Sequence, residues 1–169
     1  MRYRAYIGIG SNQGAKLENC QRALEMIAAI SETMLGKRSS LFESEPWGGS
    51  EEWYVNGAVA VATNLEPLAL LGHCQGIERS MGRRRTGKRW EDRVIDLDLL
   101  LFDDRVIDDP LLKIPHPELQ KRKFVLVTMC DIAPEVVHPV LGMSMAQLLA
   151  QVEDRRQVLP ICDDRVVSN

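Results

Sequence analysis

Apolar and polar positions change their period several times along the chain, and each change marks an element. Tyr3 to Gly10 is a short, nearly unbroken apolar run ending in Ser11-Asn12-Gln13-Gly14, which predicts a strand closed by a turn. Leu17, Cys20, Leu24, Ile27 and Ile30 then recur at the spacing of one helix face. Ser39 to Glu45 alternates loosely, and Pro46-Trp47-Gly48-Gly49-Ser50 reads as a loop. From Trp53 to Thr63 the period is two, with Val55, Gly57, Val59 and Val61 on one side and Tyr54, Asn56, Ala58 and Ala60 on the other. That pattern predicts a strand with one apolar and one mixed face. Asn64 is the expected N-cap of the next helix, with Glu66 in its first turn, where the helix dipole favours a carboxylate. Leu68, Leu71, Cys74, Ile77 and Met81 form its apolar stripe, and Gly82 is its stop. Val94 to Phe102 predicts a further strand. Asp109-Pro110 and Pro115-His116-Pro117 punctuate the stretch after it, and Phe124 to Ile132 and Ser144 to Val152 read as short helices. No element is assigned after Arg155.

The order strand, helix, strand, strand, helix, strand is the split arrangement of an α+β, ferredoxin-like βαββαβ core, an antiparallel sheet with helices packed on one face. With 169 residues, no internal repeat and no linker, one domain over residues 1–169 is expected.

Composition narrows the classes. Hydrophobic residues at 45% and charged residues at 27% fit a folded soluble chain and argue against disorder. No apolar run approaches the roughly 20 residues of a membrane span, and the start is too short in apolar residues for a secretory signal. A net charge of −3 gives the whole molecule no pull toward nucleic acid or anionic lipid. Cys20, Cys74, Cys130 and Cys162 lie far apart and match neither a zinc site nor a disulfide framework. They read as small hydrophobes of a reducing, cytoplasmic compartment. No self-complementary apolar surface is evident, so a monomer is expected, with neither nucleic acid nor membrane as partner.

Two motifs mislead. Gly82-Arg83-Arg84-Arg85-Thr86-Gly87-Lys88-Arg89 nearly matches a phosphate-cradling loop, but Arg89 has no hydroxyl for a magnesium ion and the segment follows a helix instead of a strand. Gly8-Ile9-Gly10 lacks the third glycine at the right distance for a dinucleotide fingerprint, and reads as strand glycines that allow close packing or a ligand's approach.

The strongest chemical signal is Arg93-Val94-Ile95-Asp96-Leu97-Asp98-Leu99-Leu100. On a strand Asp96 and Asp98 share a face, roughly 7 Å apart, while Ile95, Leu97, Leu99 and Leu101 fill the other. Hard carboxylate oxygens next to phosphate oxygens suit Mg²⁺, and a pair of acids can hold two ions. Arg79, Arg83, Arg84, Arg85, Lys88, Arg89 and Arg93 run directly into this pair, seven of the chain's 21 cations. Guanidinium forks bind phosphate oxygens in pairs, so cations for a polyphosphate stand beside acids for its metal, the arrangement phosphoryl transfer needs. Trp90 lies within the run, either to stack on a base or to anchor the loop. His116, between two prolines, reads either as an imidazole that this rigid turn aims at phosphate or as a surface histidine, and Tyr54 with Asn56 offers a ring and an amide to a flat heterocycle, although a mixed exposed sheet face fits their spacing equally well.

Taken in order, Tyr6-Ile7-Gly8-Ile9-Gly10-Ser11-Asn12, Asn56, Ile77-Glu78, Gly82-Arg83, Arg89-Trp90, Arg93 to Asp98, Ile114-Pro115-His116-Pro117, Arg122-Lys123-Phe124-Val125-Leu126 and Ala133-Pro134 resemble the 6-hydroxymethyl-7,8-dihydropterin pyrophosphokinase family of folate biosynthesis. The resemblance covers about residues 3–150. It implies a three-layer fold and a Mg²⁺-dependent transfer of the pyrophosphoryl group of ATP to a pterin alcohol. By the same resemblance Asp96 and Asp98 bind two Mg²⁺ ions, Tyr54 and Phe124 sandwich the pterin, Asn56 bonds its edge, and backbone near Ser44 and Trp47 completes that pocket. Arg83 and Arg93 match catalytic-loop arginines, and Arg85, Arg89 and Trp90 the part closing over the nucleotide. His116 and Arg122 match phosphate contacts, and Gln75 and Glu78 the helix beside the nucleotide. Trp47 stands where the family often has a smaller aliphatic residue, Glu45 where proline is frequent, and Glu91-Asp92 replaces a common Gly-Pro. The residues by themselves also leave a two-metal phosphohydrolase and a catalytically silent pterin-binding protein open. An RNA-binding module fits worse, given 5% aromatics.

Overall fold

The computed structural model describes residues 1–48, 50–82 and 94–161. In chain order these form β1 (Tyr3–Ser11), α1 (Lys16–Ala28), β2 (Thr33–Arg38), β3 (Phe42–Ser44), β4 (Tyr54–Thr63), α2 (Pro67–Ser80), β5 (Asp96–Phe102), the short pair β6 (Ile107–Asp108) and β7 (Lys113–Ile114), α3 (Lys123–Ile132), α4 (Met145–Gln151) and β8 (Val158–Pro160). The long apolar strands pair with one another. β1 runs antiparallel to β4 from Tyr3↔Thr63 to Ser11↔Val55, and on its other edge antiparallel to β5 from Ala5↔Phe102 to Gly10↔Asp96. The far edge of β4 takes both β2 and β3, and β8 extends the sheet beyond β3.

Period two sorts the side chains into two cores. Ile7, Ile9, Val59, Val61, Leu97 and Leu99 pack with α1 and α2, through Cys20, Ala23 and Ile27 of α1 and Leu70, Cys74 and Ile77 of α2. Tyr6, Ala58, Leu100 and Leu101 pack with Val125, Leu126 and Met129 of α3 and Met145 and Leu148 of α4. The sheet is therefore the middle of three layers, as the family resemblance implies, whereas the element order by itself places helices on one face only. The mixed face of β4 is lined with alanine, small enough to receive a second helical layer, and α3 and α4 bring apolar faces of their own. Phe102, Leu126 and Met129 are among the largest fully buried side chains, so both cores carry substantial burial energy.

Several local expectations shift. Asn64 does not cap α2; its Oδ1 accepts the Arg2 N–H at 3.0 Å, and the helix starts at Pro67 after Glu66. Proline at the first helical position presets the backbone angle and lacks only an N–H the helix does not use. The buried stripe of α2 is Leu70, Cys74 and Ile77, while Leu68 is 47% exposed. On β5 the register shifts opposite Tyr6/Ile7, so Leu101 joins Leu100 on the α3 side instead of following Leu97 and Leu99. Ser144 and Gln147 cap α4 reciprocally, Ser144 Oγ accepting the Gln147 N–H at 3.1 Å and Gln147 Oε1 the Ser144 N–H at 2.9 Å. The strands β2 and β8 have no counterpart in the sequence-based assignment.

Candidate active site

Pairing on either side of β1 brings the chemical residues into one floor. Gly10 lies between Asp96 of β5 and Asn56 of β4, and Gly8 lies between Asp98 and Ala58. Because alternate residues share a face, both aspartates, both glycines and Asn56 face the same layer. The glycines keep that floor bare: a methyl group on Gly10 would lie 3.1 Å from Asn56 Oδ1 and 3.6 Å from Tyr54 Cδ1. Asn56 is buried and its Nδ2 donates a short hydrogen bond to Ser44 Oγ, which fixes the orientation of the amide.

Over this floor lies a cavity of about 360 Å³, the size of a small-ligand site. Ser44 at the end of β3 and Trp47 beyond it line the cavity, and Tyr54 and Asn56 line it from β4. The segment before α3 and its first turns contribute His116, Arg122 and Phe124, and α2, which packs on β5, contributes Gln75 and Glu78. With Asp96 and Asp98, these are all the sequence-derived candidates that fall on described residues, and they share this one cavity. Arg83, Arg85, Arg89, Trp90 and Arg93 lie outside the described residues.

Next to the aspartates, His116 and Arg122 present hydrogen-bond donors to the cavity. His116 Nδ1 accepts the Glu118 N–H at 3.1 Å, which leaves the ring proton on Nε2, 4.0 Å from Asp98 Oδ1. Burial, and then the Arg122 charge, hold the His116 pKa below its ordinary value, so the imidazole is a neutral donor near neutral pH. Arg122 Nε is buried without a hydrogen-bond partner among the described residues, as is Trp47 Nε1. A phosphate oxygen is the kind of acceptor a buried guanidinium N–H lacks here. Among the described residues no three His, Cys, Asp or Glu side chains form a cage for an ion. Asp96 and Asp98, two hard carboxylates on one strand face, fit Mg²⁺, an ion that is bound by one or two carboxylates and completes its shell with phosphate and water.

Comparison with known proteins decides the family. The model described as 7,8-dihydro-6-hydroxymethylpterin-pyrophosphokinase matches residues 6–134. The chain belongs to this family. A 2-amino-4-hydroxy-6-hydroxymethyldihydropteridine pyrophosphokinase of Pseudomonas aeruginosa is 42% identical over 148 residues, 87% of this chain and 90% of that protein. One of the same name from Methylorubrum extorquens is 38% identical over 151 residues, 89% of this chain and 94% of the relative. Among solved structures, an HPPK-DHPS in complex with substrates superposes with a TM-score of 0.65 at 19% identity, over 89% of this chain and 43% of the other. Wild-type Plasmodium falciparum HPPK-DHPS gives 0.71 at 16% identity, over 88% and 43%. At that identity the two structures speak for the fold, and this chain spans less than half of each.

All the sequence-derived site residues fall inside the stretch matched by the pyrophosphokinase family. Gly8 and Gly10, read from the sequence as glycines that allow close packing or a ligand's approach, line the cavity. Sequence reasoning misses Leu71, which the periodicity assigns to the core stripe of α2, and Thr128, which line it too. A signal for the glycines exists: they are two apart on β1, as the aspartates are on β5, so one strand register sets them side by side. Thr128 gives none, because only the packing of α3 on β4 turns it toward the cavity.

Proposed function

We propose that this chain transfers the pyrophosphoryl group of ATP to the hydroxymethyl oxygen of 6-hydroxymethyl-7,8-dihydropterin, releasing AMP and the pterin pyrophosphate, a step of tetrahydrofolate biosynthesis. The observation that carries this reading is the meeting, in a single cavity, of rings for a flat heterocycle with two carboxylates and a buried guanidinium suited to a polyphosphate. The names of the relatives support the choice of pterin.

In this reading Tyr54 and Phe124 hold the pterin between their rings, and Asn56, oriented by Ser44, bonds its edge while Trp47 forms the adjoining wall. Asp96 and Asp98 hold two Mg²⁺ ions, which when bound neutralise charge on the phosphates. His116 donates its Nε2 proton to a phosphate oxygen, and Arg122 Nε finds there the acceptor it lacks. Gln75 and Glu78 lie beside the nucleotide, and Arg83, Arg85, Arg89, Trp90 and Arg93, outside the described residues, are assigned to nucleotide binding and catalysis by the family resemblance alone. The hydroxymethyl oxygen attacks the β-phosphorus in line. The new O–P bond forms as the bond to the oxygen bridging the α- and β-phosphorus breaks, AMP leaves with that electron pair, and the hydroxyl proton passes to solvent. Positioning and charge neutralisation supply the acceleration, and no side chain is assigned as general base. The same reading makes the chain a cytoplasmic monomer. Burial pushes the pKa of the Cys20 and Cys74 thiols up to about 12, which keeps them protonated and unreactive.

Product analysis with Mg²⁺, ATP and the pterin, against a control without pterin, tests the proposal. AMP formed only when pterin is present is the expected result. ADP or free phosphate formed regardless of pterin would overturn it in favour of a hydrolase.

A further inference from the structure

After α4 the chain runs back to the cavity and touches two of its walls from behind. The Asp154 side chain is 2% exposed, and its Oδ2 accepts the N–H of Lys123, the first residue of α3, at 3.0 Å. The residue at the N-cap of α3, Arg122, makes no side-chain cap, so the carboxylate that satisfies this helix end comes from 31 residues away. Phe124, the next residue along, lines the cavity. The other oxygen, Asp154 Oδ1, accepts both the backbone N–H and the Nη1–H of Arg156 at 3.1 Å. The Arg156 guanidinium in turn lies 3.7 Å from the centroid of the Trp47 ring, in stacking contact. Glu45 and Gln157 exchange two hydrogen bonds, Glu45 N–H to Gln157 O and Gln157 N–H to Glu45 Oε1, both 3.1 Å. One buried carboxylate thus ties the α3 wall to the Trp47 wall. Neither Asp154 nor Arg156 lines the cavity, and both lie beyond the residues matched by the family model.

We propose that Asp154 and Arg156 are a positioning pair that sets the aromatic walls of the cavity before ligand arrives, and so determines how tightly a flat heterocycle is held. The proposal rests on the pterin reading of the cavity. The physical reason is preorganisation. An indole already stacked under a fixed guanidinium gives up less side-chain freedom on binding, and that ordering cost is otherwise subtracted from affinity. Asp154 fixes the guanidinium by holding both its backbone and its fork, and the same carboxylate anchors the helix turn that carries Phe124. The effect falls mainly on the heterocycle, because the closest contacts of the pair run to the Trp47 ring and to the turn that carries Phe124; Arg122, the N-cap of α3, lies farther from that ring, at 5.6 Å.

Steady-state kinetics on the full chain, with pterin and ATP varied in turn, test this. Arg156→Ala is expected to raise the KM for pterin about fivefold to tenfold, with kcat and the KM for ATP changed by less than about twofold. Arg156→Lys, which keeps the charge but loses the flat fork, should recover part of the loss. In a Trp47→Ala background, Arg156→Ala should add little, because the contact through which it acts is gone. An unchanged pterin KM, an equal rise for ATP, or full additivity with Trp47→Ala would each overturn the proposal. Where Arg156→Ala lowers the thermal midpoint markedly, Arg156→Lys carries the same comparison, and parity with the wild type would overturn it equally. A wild-type chain that forms no pterin-dependent AMP overturns the underlying reading, and this proposal with it, before any variant is made.

Discussion

Asp98 sits across the ladder from Gly8, with His116 Nε2 at 4.0 Å and Leu97 and Leu99 turned into the core behind it. Its side chain retains 36% exposure, so removing the carboxylate costs the fold little while taking half of the oxygen pair away. Asp98→Ala is expected to lower kcat by at least about a thousandfold with an unchanged circular dichroism spectrum. Near-native AMP formation would remove the metal role. Phe124→Ala should weaken pterin binding by roughly tenfold or more and ATP binding far less, which titration calorimetry can separate. Gly10→Ala pushes a methyl group to 3.1 Å from Asn56 Oδ1, and is expected to weaken pterin binding while the thermal midpoint stays close to that of the wild type. The aspartate pair and the Tyr54–Asn56 pair are legible in the sequence because period two alone puts them on shared faces. The place of Gly8 and Gly10 in the floor is not, because it depends on which residues of β4 and β5 lie opposite them, and those are set by pairing over long sequence distance.

Helix α2 shows where pattern reading is strong and where it slips. Cys74 and Ile77 are readable as buried, since the end of the helix keeps its period. Asn64 and Leu68 mark the start in the sequence, but Pro67 moves the first turn, and Leu70 becomes the fully buried residue. Leu70→Ala should therefore cost roughly 2–5 kcal/mol in urea unfolding, and Leu68→Ala no more than about 0.5 kcal/mol. Comparable losses for the two would contradict the observed face. The three-residue β8 has no period to read. Its strand character comes from pairing with β3, which a window of local sequence does not contain. Glu45 and Trp47, which in the sequence stand out only as departures from the family pattern, are both engaged by the chain just before β8.

For the molecule as a whole, two apolar cores on opposite faces of one sheet make the layers mutually dependent, and the segment after α4 adds a pH-sensitive tie between them. Burial raises the Asp154 pKa, but the Lys123 and Arg156 backbone N–H groups and the Arg156 guanidinium outweigh it and hold the carboxyl below its ordinary range. A carboxyl depressed on folding stabilises the folded state above its unfolded pKa, and that contribution is lost as the pH falls through the folded value. The thermal midpoint of the wild type should exceed that of Asp154→Asn near pH 7, and the gap should close on acidification below about pH 4. A gap that is constant with pH would show that the charge itself contributes nothing.

The place of β1 inside the sheet, paired on both edges, also has a consequence for how the protein is made. It leaves the ribosome before both of its neighbours, and Ala5 meets Phe102 only after about a hundred further residues have been added. At roughly 5–20 residues per second that is a wait on the order of 5–20 seconds, with the edge that β5 will cover still bare after β4 has emerged. Glycine is a poor strand former and a poor seed for cross-β stacking. The two glycines that keep the floor of the cavity clear in the finished protein thus also blunt the newborn strand as a template for its neighbours on the polysome.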